Sequence, residues 1–192
     1  MRKHHLILFE GVEMGGKSFL MAQIYDELEK RYNRTGKVLD GCAWFNADVG
    51  VFGTERGEEY INQKMELLKL IDDRPVIVEK FHLSDTVYNR MHNEIEKEYA
   101  AVEDYLLAMG AKLVLMEVEP QADLFAKRLA ERLKSVSHYE RIANEPEWYV
   151  RMSSEYAKEY DRSRLPKMKV NMTEIGDSDA WKKVLKWIGE EE

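Results

Sequence analysis

Residues 11–18 read Gly-Val-Glu-Met-Gly-Gly-Lys-Ser, a complete G-x-x-x-x-G-K-[ST] phosphate-binding pattern. The pattern follows the apolar run Leu6-Ile7-Leu8-Phe9 and precedes a segment of helical character at 19–32. Strand, glycine-rich loop and helix, in this order, are the context in which such a loop binds phosphate. The sequence therefore predicts a nucleoside triphosphate site. The alternative, a glycine-rich turn in another kind of α/β protein, is disfavoured because chance produces the full pattern in roughly one chain per hundred of this length.

The loop itself predicts which groups hold the nucleotide. Main-chain N–H groups of the glycine-rich turn and of the helix N-terminus point toward phosphate oxygens, and the helix dipole favours negative charge there. Lys17 is expected to reach the β- and γ-phosphates, and the Ser18 hydroxyl is expected to hold Mg²⁺. The predicted cofactors are therefore ATP and Mg²⁺. The predicted cofactor-binding residues are Gly11, Val12, Glu13, Met14, Gly15, Gly16, Lys17 and Ser18.

Composition limits the class of protein. At 192 residues, with no linker, repeat or low-complexity tract, the chain is expected to form one domain, residues 1–192. No stretch approaches the roughly 20 apolar residues that cross a membrane. The single cysteine, Cys42, fits a reducing cytoplasm and is predicted to be a buried apolar residue. A net charge of −7 disfavours a broad nucleic-acid surface, although it leaves room for a local basic cleft.

Strand-like runs alternate with helical patterns along the chain. Such alternation predicts an α/β fold, a doubly wound parallel five-stranded sheet flanked by helices, with ligands at the carboxyl ends of the strands. The predicted strands are 6–9, 37–45, 75–78, 112–118 and 168–172. The predicted helices are 19–32, 58–72, one long helix whose apolar stripe runs from Met91 through Ile95 to Met109, 121–134, 145–162, and a last helix capped by Asp177 or Ser178.

A second set of polar residues follows the third strand. Glu79 and Lys80 come directly after the apolar run 75–78, where they are expected to face the γ-phosphate. Glu79 could position Mg²⁺ or accept a proton from the attacking oxygen, and Lys80 could hold an anionic group. An ordinary ion pair between neighbouring surface residues is the alternative. The predicted substrate-binding residues are Lys80, Phe81, His82 and Tyr88.

With these segments in view, the chain resembles the thymidylate kinase and deoxynucleoside kinase group of P-loop enzymes. That group has Phe-Glu-Gly before the phosphate loop, and this chain has Phe9-Glu10-Gly11. It has Asp-Arg-(Tyr/Phe) after the third strand, followed by Ser and later Tyr. This chain has Glu79-Lys80-Phe81, then Ser84 and Tyr88. The resemblance implies a P-loop kinase fold and an ATP–Mg²⁺-dependent kinase activity, and it is compatible with a homodimer.

The resemblance also implies an arginine-bearing helical lid after the fourth strand, here about residues 121–163. Arg128 and Arg132 are four residues apart and therefore share one helix face. Two guanidinium groups on one face suit a phosphoryl group whose charge spreads in the transition state. The alternative is a solvated helix face with ordinary ion pairs. The predicted catalytic residues are Lys17, Glu79, Arg128 and Arg132, with Ser18 and Glu79 as the predicted metal-site residues.

The acceptor half of the site departs from the family pattern. A Thr-Arg-Glu-Pro segment is usual there, whereas this chain has Thr54-Glu55-Arg56-Gly57. Only one helix, 58–72, fits before the third strand, where the family has a helix pair. Lys80 replaces an arginine and loses its bidentate geometry. The acceptor pocket is therefore predicted to be shortened or rebuilt, and Trp44 and Phe45 either line it or, as we favour, belong to the core.

These observations predict a kinase that moves the γ-phosphoryl group of ATP to a small acceptor, a nucleoside monophosphate or a nucleoside. One alternative is a kinase for a polynucleotide 5′ end or for another small molecule, because the acceptor region is rebuilt. Another is a nucleotide-binding switch, although the chain lacks an Asn-Lys-x-Asp guanine-reading motif. A small-molecule partner is expected, nucleic acid is disfavoured, and no membrane partner is expected.

Overall fold

The computed structural model describes residues 4–46, 50–174 and 179–190. The described elements alternate between strands and helices from one end to the other. The strands are β1 (Leu6–Glu10), β2 (Ala43–Phe45), β3 (Val76–Glu79), β4 (Ala111–Glu117) and β5 (Lys167–Asn171). The helices are α1 (Lys17–Tyr32), α2 (Gly57–Leu70), α3 (His82–Asn93), α4 (Ala100–Ala108), α5 (Ala122–Ser135), α6 (Pro146–Arg162) and α7 (Ala180–Ile188), with a short 3-10 helix (Ser137–Arg141) between α5 and α6.

The five strands form one parallel sheet in the order β2-β3-β1-β4-β5. The first strand is central, paired with β3 on one side and β4 on the other. In this register Phe9 lies opposite Glu79, and Glu10 lies opposite Leu115. The chain therefore leaves β1 at the point where strand order reverses, which is where open α/β sheets bind their ligands.

Helices cover the sheet on both faces, as predicted. Right-handed crossovers put a connection that runs toward β2 on the opposite face from connections that run toward β5. This rule places α1 opposite α2, α3 and α6, and the observed packing agrees, because α1 contacts α7 whereas α3 contacts α2 and α6. Strands β1 and β3, covered on both faces, are buried at every position.

Most predicted elements agree with the structure to within two residues. The main exceptions are β2 and the long helix predicted around 91–109. Strand β2 is confined to Ala43–Phe45, because a turn at Gly36 (φ 62°) and the exposed Val38 and Leu39 occupy the preceding segment. The long helix is wrong: Glu94 adopts a left-handed conformation (φ 57°), and separate helices α3 and α4 lie on either side of the break.

Cys42 packs in the core, as predicted. Cys42 is 4% exposed, and burial raises the pKa of its thiol to about 12. Tyr149, Tyr156 and Tyr160 on α6 are buried, so this aromatic face of the helix packs in the core. The predicted cap residues Asp177 and Ser178 lie outside the described residues. Within the described ranges, no helix combines the length and apolarity that a membrane span requires.

Candidate active site

The phosphate loop owes its path to three glycines. Gly11 has φ 143°, and a Cβ atom there would lie 2.6 Å from the Met116 carbonyl oxygen, so the chain passes β4 too closely for any side chain. A Cβ on Gly15 would lie 2.8 Å from the carbonyl oxygen of Val12, the same atom that accepts a hydrogen bond from the Gly15 amide. Gly16 (φ 78°) precedes the first residue of α1. The glycines thus shape a tight turn whose backbone leads into a helix N-terminus.

Lys17 extends along the inside of this loop. Its Nζ donates hydrogen bonds to the carbonyl oxygens of Gly11 at 2.9 Å and Val12 at 2.8 Å. Burial and the nearby Lys80 ammonium lower the pKa of Lys17 to about 8, although neighbouring carboxylates oppose the shift. An incoming phosphate would favour the charged form, because an opposite charge at short range stabilises an ammonium. The loop therefore holds a cation whose charge matches a phosphate group.

Ser18 and Glu79 meet at the end of β3. The Ser18 hydroxyl donates to Glu79 Oε1 at 3.1 Å, and Glu79 is 7% exposed. Its second oxygen, Oε2, is buried and has no hydrogen-bond partner among the described residues. A hydroxyl oxygen next to an unsatisfied carboxylate oxygen is a donor set that suits a hard divalent cation such as Mg²⁺. The two residues predicted for the metal site are thus brought together.

Glu13 connects the phosphate loop to α3 and to the 3-10 helix. Its carboxylate accepts hydrogen bonds from the hydroxyls of Tyr88 on α3 and Tyr139 in the 3-10 helix. Lys80 lies 3.5 Å from the same carboxylate and donates to the Tyr88 hydroxyl at 2.9 Å. Burial alone would raise the pKa of Glu13, but Lys80, the two hydroxyls and Lys17 outweigh it and bring the pKa down to about 2. The loop, α3 and the 3-10 helix are therefore connected through one ionised side chain.

This pKa predicts how Glu13 contributes to stability. Because the folded-state pKa of about 2 lies below the ordinary 4.5, the unfolded state binds the proton more readily, and stability rises with pH. We expect wild type to exceed Glu13→Gln by about 1–3 kcal/mol in free energy of unfolding above about pH 5. The difference should shrink as pH falls from 4.5 toward 2. Urea titrations across this range measure it, with the exposed Glu66→Gln as control, and a pH-independent difference would contradict the assignment.

The three consecutive residues Lys80, Phe81 and His82 lie in different surroundings. Lys80 lines the cleft, whereas Phe81 and His82 are buried. Lys80 takes a left-handed conformation (φ 58°) at the end of β3, which turns the chain into α3. The Phe81 side chain is fully buried, and His82 is 3% exposed with Nε2 3.3 Å from Glu103 Oε1. The substrate-binding prediction for Phe81 and His82 is therefore corrected, because the strand ends one residue before Lys80 and the chain turns inward. The Tyr88 hydroxyl bonds to Glu13 and Lys80, two residues that line the cleft.

Glu10 explains why α3 begins at this point. Its buried carboxylate accepts hydrogen bonds from the Phe81, Leu83 and Ser84 amides and from the Ser84 hydroxyl. These are the N–H groups that a helix N-terminus leaves without partners. The glutamate that precedes the phosphate loop thus fixes the position of α3 relative to β1.

The two arginines of α5 share a helix face, as predicted, but differ in their surroundings. Arg128 donates to the carbonyl oxygens of Met14 at 3.0 Å, Met172 at 2.6 Å and Thr173 at 2.8 Å. It therefore fastens α5 to the loop and to the end of β5, a role different from the predicted catalytic one. The Arg132 guanidinium lies 5.5 Å from the centre of the Tyr139 ring. Of the two, Arg132 is the arginine whose charge is not already engaged by backbone carbonyls.

One cleft of about 690 Å³ runs between the phosphate loop and α5. It is large enough for a nucleotide-sized ligand. Val12 lies outside it, since its side chain is 1% exposed and packs in the core, so its predicted contact with a nucleotide is limited to the backbone. The residues that line the cleft are Glu13, Met14, Gly15, Gly16, Lys17, Ser18, Phe19, Asn46, Glu79, Lys80, Arg128, Glu131, Arg132, Ser135, His138, Tyr139 and Ile142.

Sequence reasoning missed Asn46 and Tyr139. Asn46 follows β2, and its position at a strand end was the available signal. Tyr139 gave no such signal, because 126 positions separate it from its partner Glu13 and no periodicity connects the two.

The fold and the loop define a P-loop protein of the α/β class. No protein-family model matches the chain, and no curated protein matches it in sequence. Solved structures do match. The YorR protein from Bacillus subtilis, in complex with phosphorylated GDP, has 18% identical residues and a TM-score of 0.67, with 95% of each chain covered.

Two further structures have the same fold. Thymidylate kinase from Ehrlichia chaffeensis matches with 12% identity and a TM-score of 0.58, over 96% of this chain and 97% of its own. Deoxyadenosine kinase from M. mycoides with bound dCTP matches with 14% identity and a TM-score of 0.57, over 95% and 97%. The chain therefore has the fold of P-loop nucleotide and nucleoside kinases along nearly its whole length.

Proposed function

We propose that this protein is an ATP–Mg²⁺-dependent kinase that transfers the γ-phosphoryl group to a nucleoside monophosphate or a nucleoside. The observation that carries the proposal is the convergence of Lys17, Ser18 and Glu79 at one end of a cleft whose other wall holds Arg132. These are the groups that phosphoryl transfer requires, since its catalysis depends almost entirely on positioning and on charge stabilisation. The three nucleotide-binding proteins of the same fold support the nucleotide class of ligand.

The residues of the cleft have different roles in the proposed reaction. Backbone amides of the loop and the Lys17 ammonium bind the β- and γ-phosphate oxygens. Ser18 and Glu79 would hold Mg²⁺, which neutralises phosphate charge when it is bound. An acceptor oxygen forms a bond to the γ-phosphorus while the bridging bond to the β-phosphate breaks, and ADP leaves with that electron pair. A monophosphate oxygen attacks as an anion, whereas a nucleoside hydroxyl would also pass its proton to a base, for which Glu79 is the candidate. Arg132 stabilises the charge on the transferring group from the α5 side.

Residues 121–163 act in this proposal as a lid that excludes water from the transferring group. The contact between Tyr139 and Glu13 connects this segment to the phosphate loop. Arg128, bonded to backbone at both Met14 and Met172, is a positioning residue at the base of the segment. The lid and the loop therefore belong to one catalytic unit.

ADP release from ATP–Mg²⁺ tests the proposal. The acceptor panel contains nucleoside monophosphates, nucleosides and a short 5′-hydroxyl oligonucleotide. We expect one nucleotide or nucleoside to accelerate ADP release by at least about 100-fold over the acceptor-free rate, because closure around an acceptor completes the site. Stimulation by the oligonucleotide alone would identify a polynucleotide kinase. Slow release that no acceptor changes would contradict the kinase proposal and favour a nucleotide-binding switch.

A further inference from the structure

Lys64 on α2 is a buried cation that the proposed mechanism does not yet use. It is 6% exposed, and its Nζ donates one hydrogen bond, at 2.8 Å, to the Tyr60 hydroxyl. Among the residues that the structure describes, this is its single hydrogen bond, whereas an ammonium has three donors. Lysine is almost never buried unless it is paired. Two donors of this buried ammonium therefore have no partner among the residues that the structure describes.

Aromatic rings surround this ammonium on the β2 side of the sheet. Its Nζ lies 4.9 Å from the centre of the Tyr60 ring and 5.9 Å from that of Phe45. Such contacts stabilise a desolvated cation without neutralising it. Phe45 ends β2, and the next residue, Asn46, lines the cleft beside Glu79. Lys64 thus lies near the end of β2, next to the part of the cleft that Asn46 lines and that we assign to the acceptor.

The neighbouring carboxylates leave the positive charge of Lys64 unpaired. Burial lowers the pKa of Lys64 to about 8, while the charges of Glu10 and Glu79 oppose the shift. Neither carboxylate is within hydrogen-bonding reach of Lys64 in the described structure. Glu10 is already saturated by α3 amides and Ser84, and Glu79 bonds to Ser18. An anionic group entering from the cleft would supply the missing partner.

We propose that Lys64 is the acceptor-side specificity residue, and that its ammonium binds the phosphate of a phosphomonoester acceptor, so that the protein selects nucleoside monophosphates over nucleosides. The proposal rests on the kinase function proposed above. It also fits the chemistry of transfer. A phosphomonoester is largely a dianion at neutral pH, so its oxygen attacks the γ-phosphorus without losing a proton, and ADP leaves as the bridging bond breaks. A neutral hydroxyl acceptor would instead need a base to remove its proton.

The test uses Lys64→Met, which keeps most of the length of the side chain and removes its charge. Acceptor kinetics and direct binding of nucleoside monophosphates, the matching nucleosides and inorganic phosphate are measured by turnover and by calorimetry. We expect the KM and the Kd for the monophosphate to rise about 10- to 100-fold in this variant, because a charge-assisted hydrogen bond is lost. The kcat and the Kd for ATP–Mg²⁺ should stay within about threefold, which also reports an intact fold.

Two further variants sharpen the result. Lys69→Met, on the same helix, removes an exposed lysine that pairs with Glu66 at 2.5 Å, and it should leave every constant unchanged. Lys64→Arg keeps the charge and should retain most of the monophosphate affinity. Loss of ATP affinity in Lys64→Met with monophosphate affinity intact would overturn the proposal. The proposal would also be overturned if the wild-type protein bound nucleosides as tightly as monophosphates. It would be overturned as well if the protein bound inorganic phosphate but no nucleoside monophosphate.

Failure of this proposal differs from failure of the kinase proposal. Transfer to a nucleoside without monophosphate binding would overturn the role of Lys64 and leave the kinase standing. If a monophosphate binds in a Lys64-dependent way but no transfer occurs, the kinase proposal is overturned and the role of Lys64 in binding stands. If neither binding nor transfer is observed while ATP–Mg²⁺ binds, both proposals are wrong.

Discussion

Lys17→Ala is expected to reduce phosphoryl transfer by at least about 10³-fold, since it removes the cation that we propose binds the β- and γ-phosphates. The fold should survive the change. The substitution loses two hydrogen bonds to the Gly11 and Val12 carbonyls, but it also removes a buried charge whose pKa is already lowered to about 8. These effects oppose each other, so the change in melting temperature should be small. Single-turnover rates and thermal unfolding measure the two quantities separately.

The matched control is Lys30→Ala, an exposed lysine on the same helix. It should leave both the transfer rate and the melting temperature close to wild type, because solvated surface lysines contribute little. Near-normal turnover in Lys17→Ala would overturn the whole site, since the loop would then not hold the reacting phosphates. A large fall in melting temperature would show instead that the Lys17 bonds to the loop are primarily structural.

The sheet and the donor half of the site were predictable because their signals are local. Buried parallel strands appear as short apolar runs such as 75–78, and the phosphate loop is a contiguous pattern that requires its backbone conformation. The register that sets Glu79 beside Phe9 and Ser18 follows from parallel pairing once β1 and β3 are neighbours. Position along the chain was therefore enough to bring Ser18 and Glu79 together.

The predictions that failed depended on backbone turns and on long-range partners. The apolar stripe through Met91, Ile95 and Met109 has helical spacing, but Glu94 takes a left-handed conformation and ends α3. Ile95 is consequently 48% exposed in the connection. The bonds of Arg128 to three backbone carbonyls were also beyond prediction, because a sequence does not show which backbone oxygens lie near a side chain. The spacing of residues along a helix shows which side chains share a face, but it does not show which atoms of the fold those side chains contact.

The acceptor side was unpredictable for a related reason. Lys64 occurs within an ordinary amphipathic helix, with Ile61, Met65 and Leu68 buried around it. Nothing in that pattern separates a buried lysine from an exposed one. The two rings near its ammonium belong to Tyr60 on the same helix and to Phe45 at the end of β2, and the second of these is brought close only by the fold. The region that we propose binds the acceptor therefore became interpretable only in three dimensions.

Glu79→Gln is expected to lower kcat by about 10²- to 10³-fold while changing the Kd for ATP by less than about threefold. Glutamine keeps the volume of the side chain and an oxygen that can accept from Ser18, so the local packing should persist. The substitution removes the negative charge of a side chain that is 7% exposed and lies near the ammonium groups of Lys17 and Lys64. The exposed Glu66→Gln serves as control. If Glu79→Gln is less stable but turns over normally when folded, the role of the Glu79 carboxylate is structural and not catalytic.

The Mg²⁺ dependence of the same variant separates the two chemical roles of Glu79. If its unpaired Oε2 helps to hold the cation, the Mg²⁺ concentration for half-maximal rate should rise by about tenfold or more, and high Mg²⁺ should restore part of kcat. If the carboxylate instead accepts a proton from the acceptor, kcat should stay low at saturating Mg²⁺ with the half-maximal concentration unchanged. Because a phosphomonoester acceptor has no such proton to lose, a Mg²⁺-dependent defect is the outcome that agrees with the role proposed for Lys64.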